Sequence, residues 1–134
     1  MTEQDIRWRQ RYQQYNKAFA LLKMTVAQPQ LSIIERAGLI QFFEMTFELS
    51  WKLLKDYQEA EGFAISSPRN AIKQAFQNGL ITDGHLWIKA LEDRNLTTHT
   101  YNEETALAVE QKIRQQYFAL LDELDQRFIK EIKS

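Results

Sequence analysis

The sequence predicts an all-α fold: an antiparallel, up-and-down four-helix bundle with one additional short helix. Apolar residues recur at steps of three and four along most of the chain, while no segment alternates like a strand for more than a few residues. The four glycines and two prolines fall near the ends of these periodic stretches, Gly38 excepted. A chain of 134 residues can bury a real core without disulfides or metals, so residues 1–134 are expected to form a single helical-bundle domain.

Trp8, Tyr12, Tyr15, Phe19, Leu22 and Val26 lie on one seam and predict a first helix over about residues 4–27, ended by Gln28-Pro29-Gln30. Ser32 followed by Glu35 forms a capping box for a second helix that runs to about Glu61, with Gly62 as its stop. Its inner stripe is Leu39, Phe43, Thr46, Phe47, Ser50, Leu53, Leu54 and Tyr57. Phe42, Met45, Leu49 and Trp51 fall partly outside that stripe, which fits either a helix surrounded by its own chain or a surface for a partner. Ser67 and Pro68 open a short third helix that Gly79 closes. Asp83 caps a fourth, with Leu86, Trp87, Ala90 and Leu91 on it and Arg94 near its end. The last helix, about 103–131, buries Ala106, Val109, Ile113, Tyr117, Leu120, Leu124 and Phe128.

Composition removes several classes of function. With 17 basic against 18 acidic residues the net charge is −1, so no global positive field holds nucleic acid, and any RNA contact must be local. Cysteine is absent, which excludes thiolate catalysis and cysteine-based zinc sites and suits a reducing cytoplasm. His85 and His99 are the two imidazoles and lack a helical metal spacing, so no metal site is expected. Neither a signal-peptide pattern nor an apolar run of membrane length is present, and the expected location is the cytoplasm.

Chemistry concentrates in Glu92-Asp93-Arg94-Asn95-Leu96-Thr97-Thr98-His99-Thr100-Tyr101, an Arg-x4-His-x-Tyr pattern. A neutral imidazole can take a proton from a ribose hydroxyl while a guanidinium holds the phosphate on which charge accumulates. On one continuous helix His99 would point away from Arg94 and Tyr101. Thr97-Thr98 disfavours helix, and Thr100 with Glu103 or Asn102 with Thr105 can cap a new one, so a break between about 96 and 102 is predicted. The opening amides of the last helix would then offer a positive dipole end to phosphate. The plainer alternative has Arg94 pairing with nearby carboxylates, His99 in a turn and Tyr101 at a boundary.

Glu44, Glu48, Lys52 and Lys55 form a second constellation on the second helix. Glu48 and Lys52 stand at i, i+4 for a helix salt bridge, whereas Glu44 and Glu48 repel unless a cation such as Arg36 or a partner chain faces them. Trp51 beside Lys52 can stack a base and hold its phosphate, though tryptophan at helical spacing is more often core. His85 is expected to be merely exposed.

Arg94, His99 and Tyr101 resemble the signature of the HEPN superfamily, small helical nucleotide-binding proteins usually encoded beside a minimal nucleotidyltransferase. Glu35-Arg36-Ala37-Gly38-Leu39-Ile40-Gln41-Phe42-Phe43-Glu44, Phe47-Glu48-Leu49-Ser50-Trp51-Lys52, Ser67-Pro68-Arg69 and Glu92-Asp93-Arg94-Asn95 are similar to its branch of nucleotidyltransferase substrate-binding proteins. The resemblance covers most of the chain, and four blocks in order carry more weight than the three-residue motif.

The resemblance implies a non-catalytic, dimerising subunit that docks a minimal nucleotidyltransferase and presents a nucleotide-containing or protein substrate. Arg94, Asn95, His99, Tyr101, Glu48, Trp51 and Lys52 are the expected nucleotide or partner contacts. No cofactor is expected on this chain, with magnesium ATP or another nucleotide on the partner. The alternative is a metal-independent endoribonuclease toxin in which His99 is the base, Arg94 stabilises the phosphate, and adenylylation of Tyr101 silences the enzyme. A structural adaptor would keep the helices and give those residues no special task.

Overall fold

A computed structural model describes residues 1–95 and 102–134, all helix and connecting turn. The order is α1 (Glu3–Val26), α2 (Ile33–Ala60), α3 (Pro68–Gln77), α4 (Gly84–Asp93), α5 (Glu103–Lys112), a π-helical turn (Ile113–Tyr117) and α6 (Phe118–Lys133). The helices pack as the expected antiparallel bundle with α3 as the extra element, and α4 is as short as α3, ten residues each. Among the described residues no helix is long and apolar enough to cross a membrane.

Most boundaries follow from side chains that satisfy the free amides of a helix start. Ser32 and Glu35 form the predicted box on α2, Ser67 accepts from Asn70 N on α3, and Asp83 accepts from Leu86 N on α4. Thr2 and Asp5 form a further box at the head of α1. Gly62 and Gly79 take φ of 98° and 75°, the left-handed geometry that lets the chain leave α2 and α3 without a Cβ clash.

Helix α2 is the central element and packs against α1, α3, α5 and α6. Leu39, Phe43, Thr46, Phe47, Ser50, Leu53 and Leu54 are buried, as the inner stripe predicted, and Tyr57 is half-buried. The buried hydroxyls of Thr46 and Ser50 donate to the Phe42 and Phe47 carbonyls. Phe42, Leu49 and Trp51 are half-buried against the core, while Met45 stays exposed. The surrounded-helix explanation therefore accounts for three of these four residues.

The α1 seam meets α2 and α6 through aromatic rings. Trp8 lies edge-on to Tyr57 at 5.0 Å, and Phe19 stacks on Phe118 at 5.3 Å. Burial of the tyrosines is made tolerable by their hydroxyls: Tyr12 donates to Asp125 at 2.8 Å and Tyr15 to the Leu121 carbonyl at 2.6 Å. Asp56, also buried, is met by Arg11 Nε at 2.9 Å.

The last predicted helix is a single rod interrupted by the π-helical turn, which the periodicity did not foresee. Val109, Ile113 and Tyr117 are all buried although they follow at two successive steps of four. In a regular α-helix those steps overshoot two turns by about 80°. The wider π turn absorbs the excess, so both halves of the rod keep an apolar face to the core.

Candidate functional site

Two aromatic contacts place the end of α4. Phe47 of α2 packs on Trp87 of α4 with centroids 5.7 Å apart, and Phe43 stacks on Tyr117 of the π turn at 5.6 Å. Three successive residues at the α4 terminus then reach α3, the final rod and α2 in turn. Glu92 lies 3.5 Å from Arg69 on α3, an exposed and weak pair. Asp93 Oδ2 accepts from the Tyr117 hydroxyl and, at 3.1 Å, from Lys112 Nζ. Arg94 caps the helix, its N–H bonding the Ala90 carbonyl, and sends its guanidinium toward α2.

There Arg94 Nη1 stands 3.0 Å from Glu48 Oε1. The other Glu48 oxygen accepts from Trp51 Nε1 at 2.9 Å, and Lys52 Nζ lies 5.9 Å from the centre of the Trp51 ring. The arginine of the motif and the Glu48, Trp51, Lys52 constellation therefore form one cluster. Two expectations change with this geometry. Glu48 is turned toward Trp51 and Arg94 and forms no salt bridge with Lys52. The cation facing it is Arg94, because Arg36 is bound to Glu103 and, at 2.7 Å, to Glu110.

The Arg94–Glu48 approach is a charge contact without hydrogen-bond alignment. Among the described residues, Arg94 Nε and Nη1 are buried and donate to no acceptor. Unspent buried donors are costly, which marks this guanidinium as a group that an acceptor would stabilise. Tyr117 serves as a fixed donor to Asp93, the residue before Arg94: burial first, then that bond, pushes the phenol well above its ordinary pKa.

Asn95 is exposed in the turn after α4. His99 and Tyr101, the predicted base and modification site, lie outside the described residues, as does most of the predicted break. What is described agrees with separate helices: α4 stops at Asp93, and Asn102, in extended conformation, caps α5 by accepting from Thr105 N at 3.1 Å. The start of α5 suits an anion less than expected, since Glu103 and Glu104 already occupy its first turn and complement the dipole. His85 is exposed, as anticipated.

The start of the final rod is held by a clamp. Glu110 accepts from Arg36 Nε at 2.7 Å and from Arg114 Nε at 2.8 Å. Arg114 also donates to the Val26 and Gln28 carbonyls at the end of α1, where a cation complements the helix dipole. Burial raises the Glu110 pKa, but the two arginines outweigh it and hold the carboxyl below its usual range. The same ion pairs, Glu110 foremost, hold the Arg36 guanidinium above its own.

Sequence reasoning missed the supporting groups Asp93, Tyr117, Lys112 and Glu110. Asp93 sat inside a recognised block, and an aspartate beside the motif arginine was the available signal.

An α-helical bundle carrying an arginine-centred polar corner at the end of α4 defines a class, and comparisons identify it. Residues 10–130 match the family model described as nucleotidyltransferase substrate binding protein like. The chain belongs to that family. It is 34% identical over 108 residues to a probable ribonuclease HepT of Haemophilus influenzae, covering 69% of this chain and 74% of the relative. A crystal structure of a Thermus thermophilus protein superposes with a TM-score of 0.77 at 38% identity, covering 84% of this chain and 97% of the other. A Haemophilus influenzae structure, described as having the fold of a substrate-binding domain of a nucleotidyltransferase, gives 0.73 at 30% identity, covering 87% and 97%.

Proposed function

We propose that this chain is a cytoplasmic, homodimeric partner subunit of a minimal nucleotidyltransferase. It docks the catalytic subunit, which brings magnesium ATP or another nucleotide, and presents a nucleotide-containing or protein substrate at the Arg94 corner. The observation that carries this reading is the convergence of Arg94 with Glu48, Trp51 and Lys52: a guanidinium with unspent donors beside an indole and an ammonium. Phosphate suits the guanidinium, and a base suits the indole face. Asn95, His99 and Tyr101 complete the proposed contact set.

Dimerisation is supported by apolar side chains that the bundle leaves uncovered. Exposed Met24 lines one groove with Gly38 and the half-buried Phe42, and Met45 is exposed farther along α2. Sedimentation of the wild type and of Met45→Lys checks this, with the variant expected to shift toward monomer.

The likeness to a probable ribonuclease favours a second reading. In it, His99 is the general base for metal-independent RNA cleavage, Arg94 stabilises the phosphate, and the transferase silences this toxin by adenylylating Tyr101. One experiment separates the two. Purified protein is incubated with RNA in EDTA, alongside His99→Ala, and its mass is measured after exposure to the partner transferase with magnesium ATP. The binding-subunit reading expects intact RNA and complex formation. Cleavage lost in His99→Ala, together with an adenylyl mass on Tyr101, would replace it with the ribonuclease reading.

A further inference from the structure

We propose that Glu48 is a specificity-determining residue, a charge filter that tilts the Arg94 corner toward the singly charged phosphodiester by penalising the doubly charged terminal phosphate. This inference rests on the reading of Arg94 as a phosphate-binding group and names the kind of phosphate.

The cluster supplies two positive charges, Arg94 and Lys52, and one negative charge, Glu48. Asp93 and Lys112 pair with each other and leave the balance unchanged. The corner therefore offers at most one net positive charge. A phosphodiester, with a single negative charge, matches it. A terminal phosphate is close to a dianion above its second pKa of about 6; Arg94 and Lys52 attract its extra charge, and Glu48 cancels part of that attraction.

Glu48 is placed to act as a fixed charge. Its Oε2 is held by the Trp51 indole, so the carboxylate does not depend on Arg94 for its position. Its contact with Arg94 Nη1 lacks hydrogen-bond alignment, so Glu48 adds charge to the corner and leaves the Nε and Nη1 donors unspent. A residue that merely plugged the site would take up those donors. With the Arg94 side chain 21% exposed and that of Glu48 39% exposed, water and salt reduce the effect without removing it. For one extra charge about 7 Å from Glu48 at an effective dielectric of about 20, Glu48 shifts the diester-to-monoester affinity ratio by about tenfold after screening.

The test uses the full-length protein and two probes at pH 8 and low salt. One is a deoxydinucleoside monophosphate, which carries one phosphodiester and no 2′-hydroxyl to react; the other is the matching deoxynucleoside 5′-monophosphate. Glu48→Gln, which keeps an acceptor for Trp51, should shift the affinity ratio about tenfold toward the monoester relative to wild type, improving the monoester more than the diester. Trp51→Phe, which keeps the charge and frees the carboxylate, should fall between Glu48→Gln and wild type. Arg94→Ala should abolish binding of both. Should Arg94→Ala abolish binding while Glu48→Gln keeps the wild-type ratio or weakens both probes alike, Glu48 is an anchor for Arg94 and the filter is wrong, with the phosphate site intact. Should Arg94→Ala leave binding unchanged, or wild type bind neither probe, the phosphate reading itself fails and the filter with it.

Discussion

Glu48 on α2 and Arg94 at the end of α4 meet at 3.0 Å, joining two parts of the chain that share no local pattern. The pair is half-exposed, so its worth lies in placing charge and little in stability. Removing either side chain should cost less than about 1 kcal/mol. A double-mutant cycle of Glu48→Gln and Arg94→Ala in urea unfolding should return a coupling of that size or smaller. A coupling several times larger would make the pair a structural element, and its role at the corner would have to be reconsidered.

Asp93 and Tyr117 carry the structural part. The Tyr117 ring is buried under Phe43, and its hydroxyl donates to Asp93, which also receives Lys112. Tyr117→Phe leaves the carboxylate one donor and should cost about 1 kcal/mol. Asp93→Ala strands a buried hydroxyl and should cost about 1 to 3 kcal/mol. Both should also weaken ligand binding at Arg94, since Asp93 is the adjacent residue. Urea midpoints with parallel binding titrations check this, and undiminished binding in Asp93→Ala would show that the α4 terminus needs no such latch.

The π-helical turn makes an asymmetric prediction about chain length. Deleting exposed Gln115 should convert the turn to α-helix while leaving the flanking faces in phase to within about 20°, so the protein should still unfold cooperatively. Inserting one alanine there should rotate α5 against α6 by about 100° and abolish cooperative unfolding. The deletion should also disturb the Tyr117–Asp93 bond, seen as altered Asp93 and Arg94 amide resonances. Equal tolerance of both changes would mean that the rod's register is not fixed by its buried face.

These relationships show which parts of the molecule could be read from sequence. The seams of α1 and α2 were legible because apolar steps of three and four admit one helical face, and Ser32, Ser67 and Asp83 were legible because capping is local. The π turn was not, since consecutive steps of four fit both an α-helix with drift and a widened turn. Arg94 was found by its motif and Glu48 by its place among aromatics, but their meeting depends on how α4 lies on α2 through Phe47 and Trp87. Glu48 was assigned to Lys52 because a neighbour on the same helix is all that a single sequence can offer; the indole of Trp51 and the distant arginine compete better. His99 and Tyr101 stand where the sequence alone speaks, outside the described residues.

Acid should loosen the start of the final rod before other parts of the bundle. The Glu110 carboxyl is raised by burial and lowered further by Arg36 and Arg114, so its folded pKa lies below the unfolded value of 4.5. A depressed carboxylate binds fewer protons folded than unfolded over this window, so stability rises with pH there. The contribution is complete above about pH 4.5 and drains away as pH falls through the folded pKa. Glu110→Gln lacks that contribution at every pH. The variant should therefore be less stable than wild type at pH 7, with the gap narrowing as pH falls from 4.5 through the folded pKa of Glu110. Glu103, which also meets Arg36, retains part of the clamp and limits the loss. Urea midpoints at pH 7 and pH 3 decide the matter. A gap that stays constant from pH 7 to pH 3 would assign the effect of Glu110→Gln to lost packing and would remove the ionised clamp as the element that fixes α5 against α1 and α2.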